Sequence, residues 1–345
     1  MVINNKSKYI FLSLFTVIII SLNHSCNKNP SSPEIEGDYT EDYDFIWDTV
    51  NEYYPFLEFK KIDWDTINSI YSPQVKNVTK NNLRTIFVKL FGELKDGHAN
   101  VYNDDGSPIQ GYKIPRKEKD IDSFELSVVR KYFNKDLKQV KDLFKYEILP
   151  DNIGYIYYSK FSGVESDYEK FSDILNYLKN TKGLIFDIRH NGGGNNICTY
   201  YFIKRMISSP FEGVIWTKKG GGYYSAQTYY PEGDFQYTEP TVLLINGVCY
   251  SSADGFANLC KKIPHVTVVG DTTGGGGGVP EIFTLQKSKF KIRIPTRCEM
   301  RYDGEHVEWN GIPPDILVPQ TKEDIDRNQD KQLEYAINYL NQLSN

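Results

Sequence analysis

The period of apolar and polar positions changes twice along the chain. Between residues 38 and 100 it is helical. "DYDFIWDTVNEYYPFL" spaces its apolar residues by three and four and stops near Pro55. In "NNLRTIFVKLFGELKDGH", Leu83, Ile86, Phe87, Leu90, Phe91 and Leu94 form one buried face. Lys95 falls in the expected last turn and Gly97 at the expected C′ position, so His98 enters a short extended segment, "HANVY". Residues 101–150 are polar and weakly patterned, with "DLKQVKDLFKYEIL" read as a helix running into a strand. From 151 onward short apolar runs alternate with amphipathic stretches. "IGYIYYSKF", "GLIFDIR", "TVLLING" and "VTVVGD" read as strands; "DYEKFSDILNYLKN", "ICTYYFIKRMI" and "SADGFANLCKKI" read as helices. "EIFTLQKSKFKIRIPT" alternates like a hairpin, and "EDIDRNQDKQLEYAINYLNQL" reads as a closing helix. Strands alternating with helices predict an α/β core with a largely parallel sheet, preceded by a helical N-terminal subdomain.

The first residues carry a different signal. Lys6 and Lys8 precede the apolar run "YIFLSLFTVIIISL", and "NHSC" ends at Cys26. A basic region, a short apolar region and a following cysteine predict a lipoprotein signal over 1–25, with Cys26 as the lipidated first residue. Residues 26–37 are Pro/Ser-containing and suit a tether; 38–100 form the helical part, 101–150 a connecting segment, and 151–345 the α/β core. This places the protein in a bacterial cell envelope, on the periplasmic side or the cell surface. Losing Lys6 and Lys8 takes the formal charge from -5 to -7, and an acidic chain without basic clusters argues against nucleic acid as a partner. Cys198, Cys249, Cys260 and Cys298 show no C-x-x-C pair and no zinc spacing, and read as small buried hydrophobes. No metal or cofactor motif appears.

Three segments could carry chemistry. In "NGVCYSSADGF", Ser251 stands where a strand gives way to a helix, with Asp254 three residues later. That spacing fits a capping box, and the position also fits a nucleophile beside the positive end of a helix. In "DIRHNGGG", three glycines after a buried strand let backbone amides approach a ligand. The run "GDTTGGGGGVP" lacks the lysine of a phosphate-binding loop and reads as a flexible loop beside a site. A serine nucleophile needs a base. His190 adjoins the glycines and His98 has no core-packing pattern to explain it; spacing does not choose between them.

Together, "ELKDGHANV", "GLIFDIRHNGGGN", "TVLLINGVCYSSADGFANL", "VTVVGDTTGGG" and "VEWNGIPPDILV" resemble, in order, the tail-specific (C-terminal processing) protease and tricorn-core family of serine peptidases. The resemblance spans roughly residues 40–320 and implies a ClpP/crotonase-like core. It implies Ser251 as nucleophile, with the amides of Ser252 and Gly193 as the oxyanion hole. The lysine of the processing branch falls at Gly276 here. The tricorn-like branch instead implies His98 as base and Glu308 as its acid, although Gly97 replaces a serine that can bridge the two. About fifty residues separate "HANVY" from "IGYIYY", too few for a PDZ domain and its linkers. The expected activity is peptide-bond hydrolysis on a peptide or protein substrate. The alternatives are a catalytically weak relative that binds peptides or small apolar ligands, and crotonase-like acyl-CoA chemistry, which export disfavours.

Overall fold

The computed structural model describes residues 36–109, 111–162, 165–221 and 223–343. The signal segment, Cys26 and most of the tether therefore lie outside the described residues. Three helices come first: α1 (Thr40–Tyr53), α2 (Trp64–Tyr71) and α3 (Lys80–Gly92). β1 (Asn100–Tyr102), α4 (Pro115–Asp120), α5 (Leu126–Val129), β2 (Lys138–Val140) and β3 (Phe144–Ile148) follow. The α/β part runs β4 (Gly154–Tyr158), α6 (Glu165–Leu178), β5 (Leu184–Asp187), α7 (Ile197–Ile203), β6 (Phe211–Thr217), β7 (Tyr223–Tyr229), β8 (Thr241–Ile245), α8 (Ser252–Cys260) and β9 (Val266–Gly270). It closes with β10 (Gly278–Thr284), β11 (Lys291–Met300), β12 (Ile316–Leu317), α9 (Lys322–Asp326) and α10 (Lys331–Leu343). No helix among the described residues is long and apolar enough to cross a membrane.

Two sheets organise these elements. The larger has the order β12-β9-β8-β5-β4-β3-β2, parallel from β12 to β4 and antiparallel from β4 to β2. β4, β5 and β8 are buried along their whole length, which explains their unbroken apolar runs. Phe171, Phe186, Phe202 and Phe256 pack on one face; Tyr155, Ile185, Leu333 and Leu340 pack on the other. The second sheet is antiparallel, with order β1-β11-β6-β7 and β10 also on β11. The N-terminal helices bury Phe87, Leu90 and Leu94 with Phe290, Ile292 and Ile294 of and before β11. One apolar cluster thus joins the first and last thirds of the chain.

Several local expectations change. "DLKQVKDLFKYEIL" is a hairpin, β2 and β3, with no helix, and Lys141 at φ 49° makes its turn. β6 and β7 have no counterpart in the reading of the apolar pattern. The closing helix is two helices, broken near Asn328 (φ 59°). α3 ends at Gly92, and Lys95 rather than Gly97 takes the left-handed conformation (φ 46°). All four cysteines among the described residues are free and buried.

Candidate active site

The parallel strands β5, β8 and β9 deliver their following loops to one end of the sheet, where open α/β sheets place ligands. The loop after β5 is anchored first. Arg189 is fully buried and donates Nε to Asp187 Oδ1 (3.0 Å), Nη2 to Asp187 Oδ2 (2.6 Å), and Nη1 and Nη2 to Asp330 (both 2.8 Å). This bidentate pairing ties the approach to α10 to the strand end that starts the glycine turn. Within the turn Gly193 has φ 88°, and a β-carbon there would lie 2.2 Å from the Tyr250 carbonyl and 2.8 Å from Ser251 Cβ. Only glycine lets this turn press against the serine segment. The contact is bonded on both sides: Tyr250 donates its N–H to Asn191 O (3.1 Å) and Ser252 Oγ donates to Gly194 O (2.9 Å).

Ser251 sits at the β8–α8 junction with φ 60° and ψ -120°. That backbone region is one glycine favours, so the serine is held there against its preference. Its hydroxyl makes no capping bond to the helix, which corrects the capping-box expectation for the serine. Instead Ser251 Oγ lies 2.9 Å from His98 Nε2. The register of β1 on β11, Asn100 opposite Arg293, brings His98 there from the N-terminal third of the chain. His190 lies elsewhere, its Nε2 3.3 Å from Asp120 O and its ring edge-on to Phe124. His306 packs on Phe56 and Phe59.

Tyr250 explains two features of the sequence. Its ring stacks on His98 at 4.9 Å between centroids. A β-carbon at Gly97 would lie 2.6 Å from its hydroxyl, and one at Gly276 would lie 2.5 Å from its ring. A serine side chain at 97 or a lysine side chain at 276 would collide with Tyr250. Gly97 is therefore a matter of space, not of helix termination. The glycine run is not loose either. Gly275 and Gly276 donate their amides to Asp254 (3.0 Å each), and Gly277 donates to Glu308 Oε2 (3.1 Å).

Behind His98 lies a buried charge cluster. Lys60 Nζ donates to Glu308 Oε1 (2.6 Å), Asp96 Oδ2 (3.2 Å), the Tyr54 hydroxyl (3.0 Å) and the carbonyls of Leu94 (3.3 Å) and Lys95 (3.2 Å). Asp96 accepts from the Tyr54 hydroxyl (2.7 Å) and, through Oδ1, from the His98 backbone N–H (2.7 Å). Glu308 makes no hydrogen bond to His98, and His98 Nδ1 is buried without a hydrogen-bond partner among the described residues. One ligand-type atom each of Asp96, His98 and Glu308 nevertheless falls within 4.8 Å of the others. Such a trio has metal-binding chemistry, but its two carboxylates already hold an ammonium group. Burial pushes the Glu308 carboxyl up to about 8, helped by Asp96 and opposed by Lys60. Burial also raises Asp96, but Lys60, His98 and Tyr54 outweigh it and hold it below its usual value. His98 is pushed down to about 3 by burial, against the pull of Asp96, so its imidazole is neutral at neutral pH. Sequence reading missed Lys60, Asp96 and Tyr250. Only the D-G-H proximity of Asp96 to His98 offered a signal.

The two expected oxyanion donors differ. The Ser252 N–H, first in α8, has no bond to another described residue, whereas Gly193 donates its N–H to Asn191 Oδ1 (2.9 Å). In front of Ser251 opens a cleft of about 730 Å³, lined by Ser252, Gly255, Val214, Trp216, Arg293 and Glu299 among others.

Residues 152–318 match peptidase family S41, and residues 36–92 match the tricorn protease C1 domain. Over residues 152–318 the chain is similar to S41 peptidases. A carboxy-terminal processing protease, CtpA of Bacillus subtilis, is 26% identical over 179 residues, covering 49% of this chain and 36% of that protein. The carboxy-terminal-processing protease of Bartonella bacilliformis is 26% identical over 203 residues, covering 54% of this chain and 44% of its own. The chain thus spans less than half the length of these curated relatives. A solved structure from Parabacteroides merdae superposes with a TM-score of 0.76 at 29% identity, over 88% of this chain and 97% of that one. The mixed α/β fold is shared with this neighbour, as the sequence predicts.

Proposed function

We propose that this protein is a serine peptidase that hydrolyses peptide bonds with Ser251 as nucleophile and His98 as general base. The observation that carries this reading is the 2.9 Å contact between Ser251 Oγ and His98 Nε2 at a strained strand-to-helix junction. His98 takes the Ser251 proton as Oγ attacks the carbonyl carbon, then returns it to the leaving amine; water repeats the sequence on the acyl-enzyme. The tetrahedral oxyanion is held by the Ser252 N–H and by Gly193, whose N–H must first exchange Asn191 Oδ1 for the substrate oxygen. Glu308 acts behind the imidazole within the Lys60–Asp96 cluster. One ammonium and two carboxyl groups can carry a net negative charge there, which favours the imidazolium formed during attack. The chain works in the cell envelope, tethered through lipid on Cys26.

A fluorophosphonate probe is expected to modify Ser251 in the wild-type protein and to leave Ser251→Ala unmodified, read by peptide mass spectrometry. His98→Ala loses labelling and His190→Ala keeps it. A folded wild type that resists labelling would favour the reading as a peptide-binding relative. The rate of labelling also has an expected pH profile. Because burial depresses His98, the rate holds down to about pH 5 instead of falling near the ordinary histidine value of about 6.5. It rises further as Glu308 ionises through about 8. An acid limb centred near the ordinary histidine value contradicts a buried neutral base.

A further inference from the structure

The cleft in front of Ser251 holds a carboxylate that the reaction does not use. Glu299, near the end of β11, lines the same cavity as Ser251 and Ser252. Its Oε1 accepts from Asn258 Nδ2 (3.0 Å), and its Oε2 has no hydrogen-bond donor among the described residues. Among the described residues no cation pairs with it. A second carboxylate, Asp254, adds to the negative potential at Glu299, and Asp254 itself is held by Thr273 and by the backbone amides of Ser251, Gly275 and Gly276 rather than by a cation. Burial raises the Glu299 carboxyl to about 7, opposed by Asn258 and helped by Asp254, which is the behaviour of an acid awaiting a counter-charge.

α8 is shaped to admit this group. Gly255 is one helical turn beyond Ser251, and a β-carbon there would lie 3.1 Å from Glu299 Oε2. Glycine inside a helix costs about 0.5–1 kcal/mol relative to alanine. Here the missing side chain leaves the carboxylate space against the first turn of the nucleophile's own helix. Ser251, Ser252, Gly255 and Leu259 line the cleft in succession along α8, so the cavity runs from the nucleophile down one side of the helix. Val214 and Trp216 of β6 supply apolar wall. Arg293, the cationic lining residue, lies six positions away on β11, on the order of 20 Å along a strand. Its charge depresses His98, which puts it toward the histidine end of the cleft.

The geometry points to Glu299 as the residue that selects substrates with a lysine or arginine side chain beside the attacked carbonyl. The aliphatic stem lies along Val214, Trp216 and Leu259, and the cationic head meets Oε2. A neutral or acidic side chain leaves the carboxylate desolvated without a partner, which costs binding. This assignment rests on the peptidase reading for turnover, but the binding preference does not require turnover.

The test therefore has two arms. In the first, wild type and Glu299→Gln digest a mixture of unstructured peptides that carries every residue at every position, and cleavage sites are read by mass spectrometry. Wild type is expected to enrich lysine and arginine at one fixed position, and Glu299→Gln to lower that preference at least ~10-fold while still cleaving other sequences. In the second arm, Ser251→Ala binds fluorescent peptides differing only in lysine, methionine or glutamate at one position, and the lysine peptide is expected to bind at least ~10-fold tighter. Enrichment of apolar residues, or an unchanged lysine preference in Glu299→Gln, overturns the assignment and leaves the peptidase reading intact. No cleavage and no fluorophosphonate labelling, together with selective lysine-peptide binding, overturns the peptidase reading and leaves the acidic pocket at Glu299. Equal binding of all three peptides overturns the pocket without any reliance on the variant's folding.

Discussion

Ser251→Ala and Ser251→Gly are both expected to lose peptide hydrolysis by roughly 10^4-fold or more, yet the glycine variant is expected to melt higher than the alanine variant. Both remove the nucleophile and the hydroxyl that faces His98 Nε2 at 2.9 Å. They differ in backbone alone. At φ 60° and ψ -120° an alanine keeps the steric penalty that serine bears, about 1–3 kcal/mol. Glycine escapes it, and gives back about 0.5–1 kcal/mol through the greater freedom of its unfolded chain. The net difference is on the order of 1 kcal/mol, or about 1–2 °C in Tm for a unit of this size. Thermal unfolding of the two purified variants measures it. An alanine variant as stable as the glycine variant means that the junction stores no strain.

The second large effect concerns Lys60. Lys60→Met removes the ammonium that sits 2.6 Å from Glu308 and 3.2 Å from Asp96, with all three side chains buried. Stranding one side of a buried ion cluster costs about 3–5 kcal/mol, on the order of 10 °C in Tm. The loss has a sign in pH. Lys60 is the largest influence opposing burial at each carboxyl, so without it both are expected to rise from their wild-type positions. A group whose folded pKa is raised favours the fold below its unfolded pKa and loses that contribution as pH rises through the folded value. The gap between wild type and Lys60→Met therefore opens from about pH 4 upward through Asp96, and widens again above about 8 through Glu308, which ionises there with the lysine in place. Adding Glu308→Gln to Lys60→Met removes one stranded charge and recovers part of the loss. Thermal melts across that range decide it, and equal Tm values at the alkaline end would remove Lys60 from any role in balancing the cluster.

How far the chain could be read in advance differs by element. β4, β5 and β8 are buried on both faces, so their apolar runs are unbroken and easy to find. α3 repeats at helical spacing because one face, with Leu83, Phe87, Leu90 and Phe91, is buried and the other is not. β6 and β7 escaped because they belong to an antiparallel sheet with one half-exposed face, where Phe211, Ile215 and Trp216 mix with polar neighbours. The hairpin of β2 and β3 escaped because lysines and acids at spacing three to four imitate a helix, while the pairing that fixes it as sheet lies in β4. The end of α3 was misplaced because Lys95, not a glycine, turns the chain.

The strand–helix alternation, the glycine turn after "DIRHN" and the serine at the head of α8 are legible from the residues alone. These are local patterns, set by the spacing of apolar residues and by the backbone freedom of glycine. Only the tertiary structure decided which histidine faces that serine, because the pairing of β1 with β11 joins segments almost two hundred residues apart. It also decided that Lys60, from the helical N-terminal part, holds Glu308 from beyond β11, and that Glu299 opens into the cleft beside Gly255. Charge compensation and burial act across space, with no period along the chain to announce them.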